Sequence, residues 1–378
     1  MIFFLKVVIR LLMVIGGAVT LPTRAFYANE STLQLVHLLY RHGDRNPDET
    51  SLYSSNPYYE EVNYYPYGYG QLTNVGKKRE YDIGTTLRKR YFNFLGNVLN
   101  MSVLEVRSTD YNRTKMSAEL FTAGLWPPIC LNIWHPVLHW QPIPYNYELA
   151  INDKELSPWN SCDRFDDLID EVLETPEIEE YLTDRYNETL TILANRTRLE
   201  ITYLKAFLLY FGFHIQEELN LPLEDWVQSI YPEPLHSLVV DYYYIQTNNT
   251  ELRKIISGYL LKKIVVDTQN HLDGKNPQGR KMYIYSGHET NIAAFLLSLD
   301  VFHVTDLPPY GSYILLEIHK IDDVYGVKMF YEDYIGEELH TLTLPSCDEF
   351  CPLDNFFSLT EDLLPASDEE CHGSNRKR

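Results

Sequence analysis

"TLQLVHLLYRHGDRNP", residues 32–47, runs from an apolar segment straight into a polar cluster. Thr32 to Tyr40 is short and apolar, the pattern of a central strand in a buried sheet. Arg41, His42, Gly43, Asp44 and Arg45 follow where that strand must end. The chain carries 53 acidic and 32 basic residues, a formal net charge of −21. Two arginines flanking a histidine therefore gather positive charge against the trend of the whole molecule. Such a balance argues against nucleic acid or an anionic membrane as the general partner. An anionic small molecule has to be caught by a local positive pocket.

Two further strand ends carry unusual residues. "SVLEVRS" (102–108) reads as a strand with Arg107 near its end, and "KMYIYSG" (281–287) as one that leads into His288 and Glu289. Helical patterns follow each of them. Thr73 can cap a helix in which Ile83, Leu87 and Tyr91 recur every fourth residue. "TDYNRTKMSAELFTAGLWPP" (109–128) opens with a Thr-Asp cap and stops at its prolines. "HETNIAAFLLSL" (288–299) sets Ile292, Phe295, Leu296 and Leu299 on one face. This alternation predicts an α/β core formed by residues 26–140 and 252–378, with "SYILLEIHK", "VKMFYED" and "ELHTLTL" as closing strands. Residues 141–251 differ in character. Acidic helical stretches such as "DDLIDEVLETPEIEEYL" read as solvated helix faces and predict a helical insertion, or cap, between the two halves. The tyrosine-rich "NPYYEEVNYYPYGYG" (56–70) reads as a loop, either packed on the surface or walling a specificity pocket.

The remaining signals concern the route the protein takes. Lys6 and Arg10 precede an apolar run from Leu11 to Val19, the pattern of a secretory signal peptide over residues 1–25, cleaved after Ala18 or Ala25. That run is well short of the roughly 20 residues that span a bilayer. No second apolar segment follows, so soluble secretion without a membrane anchor is the expectation, with a lysosomal destination as the alternative. N-x-S/T acceptors at Asn29, Asn100, Asn187, Asn195 and Asn248 suit that route. Asn112 matches too, but on a helix close to the site. Of five cysteines, Cys347 and Cys351 can close a small loop and Cys162 can reach Cys371. Cys130 would then be a buried free thiol, in one of several pairings that five cysteines permit.

If the three strands are neighbours, their polar carboxyl ends share one pocket, where ligands of open α/β sheets bind. Three arginines and two histidines make it an anion site, because guanidinium forks match phosphate oxygens. The helix after His288 adds backbone donors. Within such a pocket His42 is the natural nucleophile, giving a phosphohistidine, and Glu289 the available general acid. The position three after Glu289 is Ile292, so the zinc-protease pattern is absent, and no Cys/His spacing predicts a metal. Each motif alone is weak; three of them in order at strand ends are not.

These motifs, "RHGDRNP", "LTNVGKKREYDIGTTLRKRY", "RSTDYNRTKMSAELFTAGLWPP" and "SGHETNIAAFL", resemble the histidine acid phosphatases, a branch of the histidine phosphatase superfamily. The similarity extends through "CDEFCPL". Details such as "YNRTKMS" look most like the insect venom acid phosphatases, relatives of the prostatic and lysosomal enzymes. The resemblance implies an α/β fold with a mixed central sheet flanked by helices, plus a smaller helical domain. It implies His42 as the phosphorylated residue, with Arg41, Arg45, Arg107 and His288 holding phosphate and no metal or other cofactor. Many members have Asp where this chain has Glu289, a carboxylic acid one methylene longer. The function expected is a secreted acid phosphatase acting on small-molecule or protein phosphomonoesters, possible as a homodimer. The alternatives are a phytase or inositol-polyphosphate phosphatase, or a catalytically weak binding or venom component.

Overall fold

The computed structural model describes residues 28–335 and 338–372. The predicted signal segment, residues 1–25, lies outside them. Among the described residues eight strands form one mixed sheet: β1 (Leu33–Arg41), β2 (Leu104–Ser108), β3 (Asn146–Tyr147), β4 (Met282–Gly287), β5 (Tyr313–Ile321), β6 (Val324–Glu332), β7 (His340–Leu342) and β8 (Cys351–Pro352). Their order is β3-β2-β4-β1-β5-β6-β7, with β8 paired to β6. Strands β1, β2, β3 and β4 run parallel, and β5 returns antiparallel to β1. The antiparallel half needs only a tight turn: Asp322 and Asp323, at φ of 48° and 64°, join β5 to β6. The parallel half needs crossovers, and helices supply them.

β1 is the spine. Leu35, Val36, Leu38, Leu39 and Tyr40 are fully buried, with alternate residues feeding two cores. Val36, Leu38 and Tyr40 pack with Ile83, Leu87, Phe121 and Leu125 of α1 (Asn74–Arg90) and α2 (Asn112–Leu125). Leu35 and Leu39 face the second core, shared with α3 (Asp163–Leu173), α4 (Pro176–Thr197), α5 (Tyr203–Glu218), α6 (Leu235–Ile245), α7 (Tyr259–Leu272), α8 (Glu289–Ser298) and α9 (Leu353–Thr360). In α3 Phe165, Leu168, Ile169 and Val172 turn inward and leave Asp163, Asp167 and Asp170 exposed on the other side. The segment from residue 141 is not helical at its start, because β3 pairs with β2 at the sheet edge.

Local signals met mixed fates. The Thr73 hydroxyl accepts from Gly76 N at 3.2 Å and caps α1. α2 is not capped by Thr-Asp: it begins after Tyr111, and the Thr109 hydroxyl is drawn to Thr114 (2.7 Å) and His288 (3.0 Å) instead. The disulfides are Cys162–Cys371 and Cys347–Cys351. Cys130 is free but exposed rather than buried. After the prolines stop α2, the chain runs over the surface, where Leu131 is 89% exposed.

Candidate active site

The sheet order places β2, β4 and β1 side by side, so three carboxyl ends meet. Arg41 stands opposite Gly287 and Ser108 opposite Ser286. His42 N donates to Gly287 O at 3.0 Å, continuing the ladder one residue past β1. The His42 and His288 rings then lie edge to face, 5.4 Å between centroids. Close approach explains the glycine after His42. A Cβ on Gly43 would sit 2.6 Å from Gly76 O, and one on Gly76 2.1 Å from Asp44 O. The first turn of α1 thus packs directly on the loop that carries the histidine.

His42 is fully buried. Its Nδ1 lies 2.9 Å from Gly43 O. A carbonyl can only accept, so Nδ1 carries the proton and Nε2 keeps a lone pair. Arg113 Nε donates to that lone pair at 3.1 Å. Burial first, then Arg113, His288, Arg41 and Arg45, hold the His42 imidazole well below the usual histidine range. His288 is lowered in the same way, by burial and by Arg113, Arg45 and Arg41. Both rings are therefore neutral through the mildly acid range.

The guanidiniums around them are only partly paired. Arg41 Nη1 donates to Pro308 O at 2.7 Å and its Cζ lies 3.9 Å from the Tyr310 ring centroid. Its Nε is 3.3 Å from Glu289 Oε2. Yet Arg41 Nε and Nη2 and Arg45 Nε are buried without a hydrogen-bond partner, as is Glu289 Oε2. Asp48 bridges Arg45 (3.1 Å) and Arg113 (3.2 Å). Burial opposes its ionisation, but the two arginines outweigh that and hold its carboxyl below the usual carboxylate range. Buried polar groups are normally satisfied, so several orphan donors in one place describe a cradle shaped for an anion. His42, His288 and Glu289 could also offer ligand atoms to a metal, all within 4.8 Å of one another. With three guanidiniums beside them, the electrostatics favour an anion over a cation.

Arg107 is not part of this cradle. It lies inside β2, and strand alternation turns its side chain to the other face of the sheet. There it pairs with Asp153 at 2.9 Å and Glu155 at 3.5 Å. It lines a separate cleft with Lys262, Lys263 and Asp267. The third arginine of the cradle is Arg113, in the first turn of α2. Its sequence signal was available: a helix that starts at a strand's carboxyl end presents its first turn to the site. The other expected residues, Arg41, His42, Arg45, His288 and Glu289, are brought together.

The cradle opens into a cleft of about 600 Å³ whose lining includes Tyr111, Trp159, Phe165, Phe207, Asp166 and Gln246. The tyrosine-rich loop does not reach it. That loop packs against the segment that follows Arg45, where Asn46 Nδ2 donates to Gly68 O at 2.9 Å.

Comparisons with known proteins place the chain in a family. The family profile of the histidine phosphatase superfamily (branch 2) matches residues 32–332. A venom acid phosphatase of Apis mellifera is 34% identical over 343 residues, covering 90% of this chain and 87% of its own length. The lysosomal acid phosphatase of Homo sapiens is 32% identical over 370 residues, covering 96% and 84%. Among solved structures, a Hafnia alvei phytase superposes with a TM-score of 0.64 at 18% identity, covering 90% of this chain and 98% of the phytase. At that identity the likeness speaks for the fold alone.

Proposed function

This chain belongs to the histidine phosphatase superfamily (branch 2) and is an acid phosphatase, and from that premise we propose the residues and steps by which it cleaves phosphate monoesters. Arg41, Arg45, Arg113 and His288 hold the phosphoryl group, and the orphan guanidinium donors find their partners in its oxygens. Substrate draws Arg113 Nε off His42 Nε2, which then attacks phosphorus. The P–N bond forms as the ester P–O bond breaks, and the Glu289 carboxyl gives its proton to the leaving oxygen. In the second step water attacks phosphorus, the Glu289 carboxylate takes the water's proton, and the P–N bond breaks to release inorganic phosphate. The extra methylene of Glu289 is accommodated beside Arg41, whose Nε lies 3.3 Å away.

The observation that carries this reading is the buried His42 whose Nδ1 lies against Gly43 O and whose Nε2 accepts from Arg113 Nε. It also gives the acid working range a cause. The nucleophile stays unprotonated well below the usual histidine range, so it remains able to attack in acid. Hydrolysis of a chromogenic phosphate ester at mildly acid pH, wild type against His42→Ala, tests it: activity surviving in the variant would sink the assignment. Beyond the cradle the cleft lining adds no lysine or arginine and includes Glu49 and Asp166. That favours simple monoesters over inositol polyphosphates.

Export from the cell is part of the proposal, supported by two disulfides. Exposed acceptors at Asn29, Asn100, Asn187, Asn195 and Asn248 support it too. Among the described residues no helix is long and apolar enough to cross a membrane. We further propose a homodimer through the uncharged segment 120–147. Ile133, Trp134 and Val137 stand 55%, 57% and 76% exposed there. Val137→Asp should shift the sedimentation of a dimer to that of a monomer.

A further inference from the structure

Resting on the monoester reading, we propose that the corner of the cleft built from Asp166, Tyr242 and Gln246 recognises a protonated amine on the leaving group of the ester. These side chains come from α3 and the carboxyl end of α6, and all three line the cleft that opens from the cradle. Gln246 is 6% exposed, and its side-chain oxygen is buried without a hydrogen-bond partner. Gln246 N donates to Tyr242 O at 3.0 Å, so the two side chains lie one helical turn apart. Burial first, then Asp166 and Asp170, push the Tyr242 hydroxyl above the usual tyrosine range.

Asp166 has no cationic partner among the described residues. The charges that bear on it are those of Asp170, Asp167 and Asp163, all of its own sign. Burial and these acids hold its carboxyl above the usual range. A cation placed there relieves the repulsion and satisfies the orphan acceptor at once. The end of α6 adds the partial negative charge of a helix carboxyl terminus. Trp159, Phe165, Phe207 and Leu208 line the same cleft and supply apolar and aromatic walls. The cleft is thus bipolar, with phosphate at one end and ammonium at the other, and it suits a substrate with an apolar or aromatic spacer between the two.

Three esters on one ring test this: 4-ethylphenyl phosphate, 4-(2-aminoethyl)phenyl phosphate and the phosphate of 3-(4-hydroxyphenyl)propanoate. Their phenols are similar leaving groups, so differences in kcat/KM report recognition. The wild type should prefer the amine over the neutral ester by on the order of tenfold, and disfavour the acid. Asp166→Asn should abolish that preference and Asp166→Lys should invert it toward the carboxylate. Asp167→Asn, a neighbour outside the cleft lining, should keep it. Equal kcat/KM for amine and neutral esters in the wild type overturns the inference, as does an amine preference that survives Asp166→Asn. Should the wild type cleave none of the three, the monoester reading itself falls and takes this one with it.

Discussion

The two ends of β1 hold the same kinds of side chain and use them in opposite ways. At the amino end, Arg90 Nη2 pairs with Glu317 at 2.8 Å and the Tyr91 hydroxyl donates to the same carboxylate at 2.7 Å. His319 reaches Glu317 at 3.1 Å and Thr32 at 2.9 Å. Arg90, Tyr91, Glu317 and His319 are each at most 2% exposed. At the carboxyl end, Arg41, Arg45 and Arg113 face two neutral histidines and share only Asp48 and Glu289. One network is closed on itself, and removing a member strands a buried charge. The other is left open, and its unsatisfied donors wait for an anion. A charged cluster thus reads as stability or as function by whether its hydrogen bonds close.

Substitutions can break that contrast. Arg90→Met leaves Glu317 buried without its cation and should cost about 3–5 kcal/mol in denaturant unfolding, while the folded fraction keeps its turnover per molecule. Arg113→Ala should do the reverse. Turnover falls by on the order of 10²–10³ in steady-state kinetics, as for other donors to a transition-state oxyanion, while unfolding free energy holds or rises. Glu289→Gln should slow turnover by about 10² with the inhibition constant of inorganic phosphate little changed; unaltered turnover would remove Glu289 as proton donor. Arg107→Ala should alter turnover by less than about twofold, because its partners are Asp153 and Glu155. A large loss there would restore it to the cradle.

Acid separates the two ends more finely. His42 and His288 have folded pKa values below their unfolded ones, so the unfolded chain binds protons first as pH falls. Stability from this end therefore declines once pH drops below about 6.5. The Glu317 carboxyl is also depressed, since His319, Arg90 and Tyr91 outweigh its burial. Its contribution is complete above the ordinary glutamate range and is lost only as pH falls through the folded value. Thermal unfolding against pH should show two successive losses, and Glu317→Gln should remove the lower one. Inorganic phosphate should offset the upper loss, since it binds the folded cradle alone.

Much of this arrangement is legible in the sequence. The run Thr32–Tyr40 is apolar because β1 is buried on both faces, and its end is polar because sheet ends are where ligands sit. "SGHE" is legible for the same reason. Arg107 misleads because a strand end looks alike in sequence whichever face a side chain takes, and only the β2–β4 register sends it to Asp153. Arg113 is legible only once the helix start after β2 is read as part of the site, and Thr109 is hidden because its tertiary partner His288 is 179 residues away. Cys130 escapes because the apolar character of "PPICLNIW" suggests burial, whereas the chain exposes that segment. Asp166 is invisible within an acidic run until α3 and α6 bring it and Gln246 into the lining of one cleft.

The central claim is that His42 is the group that takes the phosphoryl from the ester. Mixing the enzyme with a phosphate-labelled ester, quenching within the first turnover into alkaline denaturant and mapping the labelled peptide tests it most directly. Label on Nε2 of His42, absent from His42→Ala and accumulating in Glu289→Gln if the second step becomes limiting, is the predicted result. Label on another residue, or none during active turnover, would contradict it.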